Sequence, residues 1–268
     1  MSFPGLGFGR NRSLPLDEGW ACVSINGKVF SLEDVPEVEF LHTSWPFTPS
    51  EAASNTLTGR ADSMLRQAMS MGYLRPGERL TMRGLAQDMG MSVTPVREAI
   101  QNLISENVLS MQSPKTIIVP RIDAAICYEV FQIRVALETL AAIQAMPNLG
   151  STDFAELRAI NARHRAALES RDIGKVLQYN KEFHFSIYRP SGMPSLLNLI
   201  ETQWLRIGPT LNLLHPNYVG GLSGNDHHEL IIRALESSSE DEVRDTLSMA
   251  LLTAQDEIMK RLPSQLTG

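Results

Sequence analysis

With 268 residues, 43% of them hydrophobic, the chain is long and apolar enough for two domains with cores of their own. A net charge of −6 does not look like that of a nucleic-acid binder. No apolar run approaches the ~20 residues of a membrane span, and Gly, Pro and Arg break up the N-terminus, so neither an anchor nor a secretory leader is expected. Cys22 and Cys127 lie far apart and form no ligand pattern, which fits a reduced cytoplasm without disulfides.

Residues 1–52 start in a stretch crowded with Gly and Pro and read as an appendage. Within them, 21–25 and 28–32 flank Asn26-Gly27, and Asn-Gly between two β-prone runs signals a hairpin. From 54 to 70, Leu57, Ala61, Met64, Leu65, Ala68 and Met69 recur at helical spacing. Leu85, Ala86 and Met89 give the apolar face of a short helix, and Gly90 permits the tight turn that ends it. Ser92 is a good N-cap for the next helix, with Pro95 in its first turn. Val96, Ala99, Ile100, Leu103 and Ile104 form the buried stripe of that helix. Thr94, Arg97 and Gln101 fall on its other face. Two short helices joined by a Gly turn, the second with a polar leading edge, make a helix-turn-helix. Its second helix can enter a major groove, with Thr94, Arg97 and Gln101 facing phosphates and base edges. Two β-prone runs around Ser113-Pro114-Lys115 read as the wing of a winged helix. Charge follows this division. Residues 53–121 hold eight Lys/Arg against five Asp/Glu, whereas 1–52 and 122–268 are both acidic. A basic module on an acidic body suits a protein that touches DNA with one domain.

This stretch resembles the DNA-binding domain of GntR-family transcription regulators. The match is carried by Pro76-Gly77-Glu78-Arg79-Leu80, Leu85-Ala86, Gly90-Met91-Ser92 and Thr94-Pro95-Val96-Arg97-Glu98-Ala99-Ile100. The resemblance implies DNA contacts from Ser92, Thr94, Arg97 and Gln101, and from Arg83 at the start of the first short helix. Lys115 at the wing tip can meet a phosphate or reach into the minor groove. Two departures stand out. Val93 occupies the place of an Arg that commonly donates to guanine, and Lys115-Thr116 replaces a wing-tip Gly. Both are expected to alter sequence preference rather than abolish binding, because phosphate contacts carry much of the affinity.

From 122 onward apolar residues recur with helical period. Six helices are expected, roughly 124–146, 152–170, 173–189, 193–214, 226–237 and 240–261, and Ser239 with Glu242 predicts a capping box for the last. The expected fold class is therefore mainly α, a winged helix-turn-helix (53–121) followed by an all-α antiparallel bundle (122–268). Asn180 and His184, four apart, share a helix face near Phe183 and Ile187. His228 lies beside Leu230, Ile231 and Leu235, and Arg134 among Val130, Ile133 and Leu137. Polar groups converging from three helices make a candidate pocket. The residues leave alternatives open: Arg134 can pair with Glu138 one turn on, a buried His can be hydrogen-bonded core, and His227 can be the inward residue. His164 and His215 are expected at surface or boundary positions, and His42 lies in the extension.

This part resembles the FadR C-terminal domain of one large GntR subfamily. The matching residues are Arg134-Val135-Ala136-Leu137-Glu138, Asn180-Lys181-Glu182-Phe183-His184, and His228-Glu229-Leu230-Ile231 with Ala234-Leu235. Six helices rather than seven point to the VanR-like branch. The resemblance implies a dimerising, effector-sensing domain with a cavity for a small organic acid, lined by Arg134, Asn180, His184 and His228. Many relatives hold a divalent ion there through one Asp or Asn and three His. Asn180, His184 and His228 match three of those positions, and Ala250 stands at the fourth. Two imidazoles and a neutral amide hold zinc or nickel weakly, so a metal-free or weakly occupied pocket is expected. Arg134, His184 and His228 would then anchor an anionic effector, with His protonation making its affinity pH-dependent.

Together these features predict a cytoplasmic, homodimeric regulator that is not an enzyme: a repressor released from its double-stranded DNA operator by an organic acid. One rival is a constitutive or architectural DNA-binding protein without an effector. Another is a metal-dependent enzyme built on Asn180, His184 and His228, which lacks an evident general base and leaves the winged helix unexplained.

Overall fold

A computed structural model describes residues 22–25, 28–31, 45–49, 55–211 and 223–262. His42 and His215 lie outside the described residues. The chain divides into two compact units, Met1–Thr43 with Pro263–Gly268, and Ser44–Leu262. In the first, β1 (Cys22–Ile25) and β2 (Lys28–Ser31) pair antiparallel with Ile25 opposite Lys28. The strand pair agrees with the expected hairpin, while Asn26 and Gly27 themselves lie outside the described residues.

The second unit starts with α1 (Leu57–Ser70), capped by Thr56, whose hydroxyl accepts the Gly59 amide at 3.0 Å. A short β3 (Arg79–Leu80) leads into α2 (Met82–Asp88), capped in the same way by Thr81. Gly90, at φ +63°, makes the left-handed turn into α3 (Val93–Ser105). The strands β4 (Ser110–Ser113) and β5 (Thr116–Ile118) form the wing, with β3 on the far side of β5. Ser113 pairs with Thr116, so the wing tip is Pro114-Lys115 and Thr116 is already strand. The unusual backbone angles for which the wing-tip Gly of relatives is suited are therefore not demanded of Thr116. Ala61, Leu65, Met69, Ile100, Leu103 and Ile117 are fully buried between the helices and the sheet.

Among the described residues the body holds six long helices, α4 (Ala124–Ala145), α5 (Ser151–Ser170), α6 (Ile173–Tyr188), α7 (Pro194–Leu211), α8 (Ser223–Ser237) and α9 (Glu240–Met259). Their caps explain the sharp boundaries. Asp123 accepts the Ile126 amide at 2.8 Å and Asp172 the Lys175 amide at 3.1 Å. Ser239 accepts the Glu242 amide at 3.3 Å, but the Glu242 carboxylate takes the Ser237 hydroxyl at 2.7 Å instead of closing the expected reciprocal box. Phe131, Phe183, Tyr188, Ile200, Ile207 and Ile232 build the body's core. Leu205 of α7 belongs to the other core, that of the winged helix. Among the described residues no helix is long and apolar enough to cross a membrane.

Candidate nucleic-acid interface and effector site

The head presents its polar residues outward because the helical period assigns its apolar ones inward. Val96, Ala99, Ile100 and Leu103 of α3 are fully buried. Thr94, Arg97 and Gln101 are exposed on the same helix, as are Arg83 on α2, Ser92 before α3 and Lys115 at the wing tip. Ser92 holds the N-cap position with extended backbone, yet its hydroxyl makes no cap hydrogen bond. Its Oγ and the first α3 amides are therefore available to a phosphate, where the helix dipole favours negative charge. No ion pair among the described residues engages Arg83, Arg97 or Lys115. Arg66, by contrast, is fixed inside the molecule by Asp62 at 2.7 Å and Glu106 at 2.5 Å.

In the body the polar residues point inward and satisfy one another. Arg134 on α4 is 4% exposed and donates from Nε to Glu138 Oε1 at 2.6 Å, one turn along. Its guanidinium also lies 4.4 Å from the Trp204 ring centroid of α7. Glu138 is wholly buried and accepts two further bonds, from Tyr188 Oη at 2.6 Å and from Trp204 Nε1 at 3.1 Å. Tyr188 meets His184 Nδ1 at 3.0 Å, which completes a chain from Arg134 through Glu138 and Tyr188 to His184 on α6. A second cluster adjoins it. His228 on α8 is buried, its Nδ1 3.0 Å from the Asn161 side-chain oxygen and its Nε2 3.2 Å from that of Asn180. A neutral ring donates from one nitrogen only, so one of these amides turns its NH2 toward the ring. Phe183 stacks on the His228 ring at 3.9 Å, and His184 lies edge-on to it at 5.4 Å.

The structure thus brings together Arg134, Asn180, His184 and His228, and resolves two of the open alternatives. Arg134 does pair with Glu138, and His228 rather than His227 is the fully buried member of its pair. One expectation is overturned. His164 is not a surface or boundary residue but 1% exposed, its ring 4.9 Å from that of His228. The signal was present: Leu157, Ile160, Asn161, His164 and Leu168 recur at helical spacing, which places both polar residues on the apolar face of α5. Glu138, Tyr188 and Trp204 also belong to the constellation. Tyr188 was readable from its position one turn beyond His184, whereas nothing local marks Trp204 as a partner of Glu138.

Burial, followed by the Arg134 charge and by His164, lowers the His184 pKa to about 3. Burial, then the neighbouring His184 and His164, holds His228 well below the ordinary histidine range. Burial and the Glu138 carboxylate raise Tyr188 well above the ordinary tyrosine value. Both rings are neutral near pH 7, so the expected tuning of effector affinity by His protonation does not operate in this state. Ala250, at the fourth position of the metal pattern, is half-buried against the body's core and offers no donor. Both His228 nitrogens and His184 Nδ1 are engaged by Asn161, Asn180 and Tyr188, and no group of three or more His, Cys, Asp or Glu among the described residues is placed to hold a metal ion. This donor set does not fit a four-ligand divalent site.

Comparison with known proteins agrees with the architecture. Residues 57–119 match the bacterial regulatory proteins of the gntR family, and residues 129–252 match the FCD domain. The chain is 34% identical over 195 residues to the HTH-type transcriptional regulator McbR of Escherichia coli K12, covering 72% of this chain and 88% of that regulator. The solved structure of E. coli McbR/YncC superposes with a TM-score of 0.73 at 32% identity, over 77% of this chain and 99% of the other. A GntR regulator from Rhodococcus sp. RHA1 shares the fold, with a TM-score of 0.64 at 19% identity over 76% and 97% of the two chains. The gluconate operon transcriptional repressor of Bacillus licheniformis is 23% identical over 207 residues, 72% of this chain and 82% of that repressor. These relatives and both matched domains are those of transcription regulators, not of enzymes. The chain belongs to the GntR family of bacterial regulators and is a DNA-binding transcription regulator of winged-helix plus FCD type.

Proposed function

We propose that the chain acts in the cytoplasm as a homodimeric repressor, with 53–121 reading a two-fold related operator and 122–268 binding a small organic acid that releases it. The observation that carries the reading is the opposite placement of two arginines. Arg97 is exposed and without an ion pair among the described residues, which suits a phosphate or a guanine edge. Arg134 is buried against Glu138, and an effector carboxylate would take the place of that internal carboxylate, with Asn180, His184 and His228 around it. Kinship with a repressor of a sugar-acid operon supports both the sign and the ligand class. Dimerisation is supported by large apolar side chains left at the surface of two body helices, Tyr128 and Leu140 on α4 and Met249 and Leu252 on α9. The effector site is proposed to work without a metal, because Ala250 withholds the fourth ligand.

The test is fluorescence anisotropy of a labelled duplex selected by the protein from a random-sequence pool. The protein is titrated at fixed salt with and without a panel of mono- and dicarboxylates. Release by one class of acid, abolished in Arg134→Met, supports the reading. Tight DNA binding indifferent to every acid favours a constitutive regulator instead, and the mutual saturation of the buried network speaks for that second reading. Elemental analysis of protein purified without chelator checks the metal. Near-stoichiometric zinc or nickel that is lost in His184→Ala would overturn the metal-free site.

A further inference from the structure

One helix belongs to both cores. Ile200, Trp204, Ile207 and Leu211 of α7 follow helical spacing and are buried in the body. Glu201, Thr202, Leu205 and Gly208 form the adjacent stripe, and that stripe faces the head. Leu205 is fully buried among the head's core residues. Gly208 lies against the last turn of α1 so closely that a Cβ would meet the Ser70 Cα at 3.0 Å and overlap the Met69 carbonyl oxygen. Polar contacts extend the seam. Thr202 Oγ1 lies 3.5 Å from the Glu106 carboxylate, which also holds Arg66 of α1. Lys181 of α6 bridges Glu201 at 3.2 Å and the Ser70 hydroxyl at 3.4 Å. Inside the helix, Pro209 has no amide to donate to the Leu205 carbonyl, so α7 lacks a rung of its ladder at its contact with the head.

We propose that α7 positions the reading head on the body, with Trp204 as its contact to the Arg134–Glu138 network and Leu205 and Gly208 as its contacts to α1. The inference rests on the effector reading above and names the route by which that site reaches the DNA-binding face. An acid that draws Arg134 away from Glu138 alters two of the groups that hold the Trp204 indole, one by stacking and one by hydrogen bond. Trp204 and Leu205 are consecutive on one helix, so a displacement of the first is delivered to the second and through it to the head. Packed interfaces pass between discrete arrangements rather than deforming continuously, which turns a small shift into a changed head position. In a dimer the head position sets the half-site spacing that can be read.

The experiment uses the full chain as Trp204→Phe and as Gly208→Ala. The phenylalanine keeps a ring but loses the N–H to Glu138, and the indole's hydrogen bond and ring contacts all lie within the body. Two duplexes are used, the one selected by the wild-type chain and the same duplex cut to one half-site. Amide hydrogen exchange is followed over α1. Expected for Trp204→Phe are a loss of roughly tenfold in affinity for the complete duplex, unchanged affinity for the half-site, and faster exchange in the last turn of α1. Gly208→Ala should do the same more strongly. If Gly208→Ala does not fold, Trp204→Phe decides alone. Equal losses on both duplexes would mean damage to the head itself, and unchanged binding with unchanged α1 exchange would mean no coupling; either overturns the assignment. If the wild type binds the half-site as well as the complete duplex, the dimeric reading fails, and α1 exchange alone then decides the role of α7.

Discussion

The head and the body use the same residue types in opposite ways. On the head, Arg83, Arg97, Lys115, Thr94 and Gln101 stand in solvent above an apolar core. In the body, Arg134, Glu138, Tyr188 and His184 are sunk among apolar helices and bonded to each other, and His228 beside them is bonded to Asn161 and Asn180. An exposed cation keeps its hydration and exchanges it for phosphate with little rearrangement, so the head is ready-made for its partner. A buried cation survives only with an internal counter-charge, so any ligand of the body must displace an existing bond. The head can therefore bind as it stands, while the body can respond only by changing.

The largest expected effect tests that dependence on the internal counter-charge. Glu138→Ala leaves the Arg134 guanidinium, the Tyr188 hydroxyl and the Trp204 N–H without their acceptor, and should cost about 3–5 kcal/mol of folding stability. Urea unfolding of the full chain measures it. Removing both charges as Arg134→Met with Glu138→Met should recover a large part of the loss. A Glu138→Ala cost below about 1 kcal/mol would mean that water already reaches the site.

Acid is the next probe. The folded state holds His184 at about 3 against 6.5 for the ordinary group, and holds His228 well below 6.5. The unfolded chain therefore takes up protons that the folded chain refuses. The stability linked to each ring is complete above about pH 6.5 and is lost as the pH falls from there toward the folded-state pKa. The steepest loss is about 1.4 kcal/mol per pH unit for each ring. Unfolding free energies should be flat from pH 8 to 6.5 and fall below it. His184→Gln should reduce the slope, and a slope that survives that change and its counterpart at His228 would assign the acid sensitivity elsewhere.

The same contrast explains what the sequence made legible. The head's contacts lie within a few residues of each other, so helical period, the Gly90 turn and Ser92 place Arg97 and Gln101 outward without knowledge of the rest. The six body helices were readable for a similar reason: Asp123, Asp172 and Ser239 cap them locally. The buried network was only half readable. Arg134 and Glu138 are one turn apart, but Glu138 meets Trp204 across 66 residues and His228 meets Asn161 across 67. Such pairs are set by helix packing. His164 shows a different shortfall, since its place on an apolar stripe was visible and only its polarity suggested the surface.

On the head, the smallest effect sharpens the distinction between positioning and reading. Lys115 at the wing tip is exposed and suited to a phosphate. Lys115→Ala should weaken binding about equally on all sequences and reduce the dependence of log affinity on log salt by about one. A change confined to particular sequences would place Lys115 in a groove instead.

Arg97→Ala tests whether α3 reads DNA with its exposed face. Wild-type and variant chains are titrated in parallel, at one salt concentration, against the selected duplex and against unrelated DNA, with thermal unfolding as the control for folding. Unfolding should be unchanged, since Arg97 is exposed and outside the core, with a loss of about 1–3 kcal/mol in affinity for the selected duplex and a smaller loss on unrelated DNA. Equal affinities of the two chains for the selected duplex would contradict a reading role for α3.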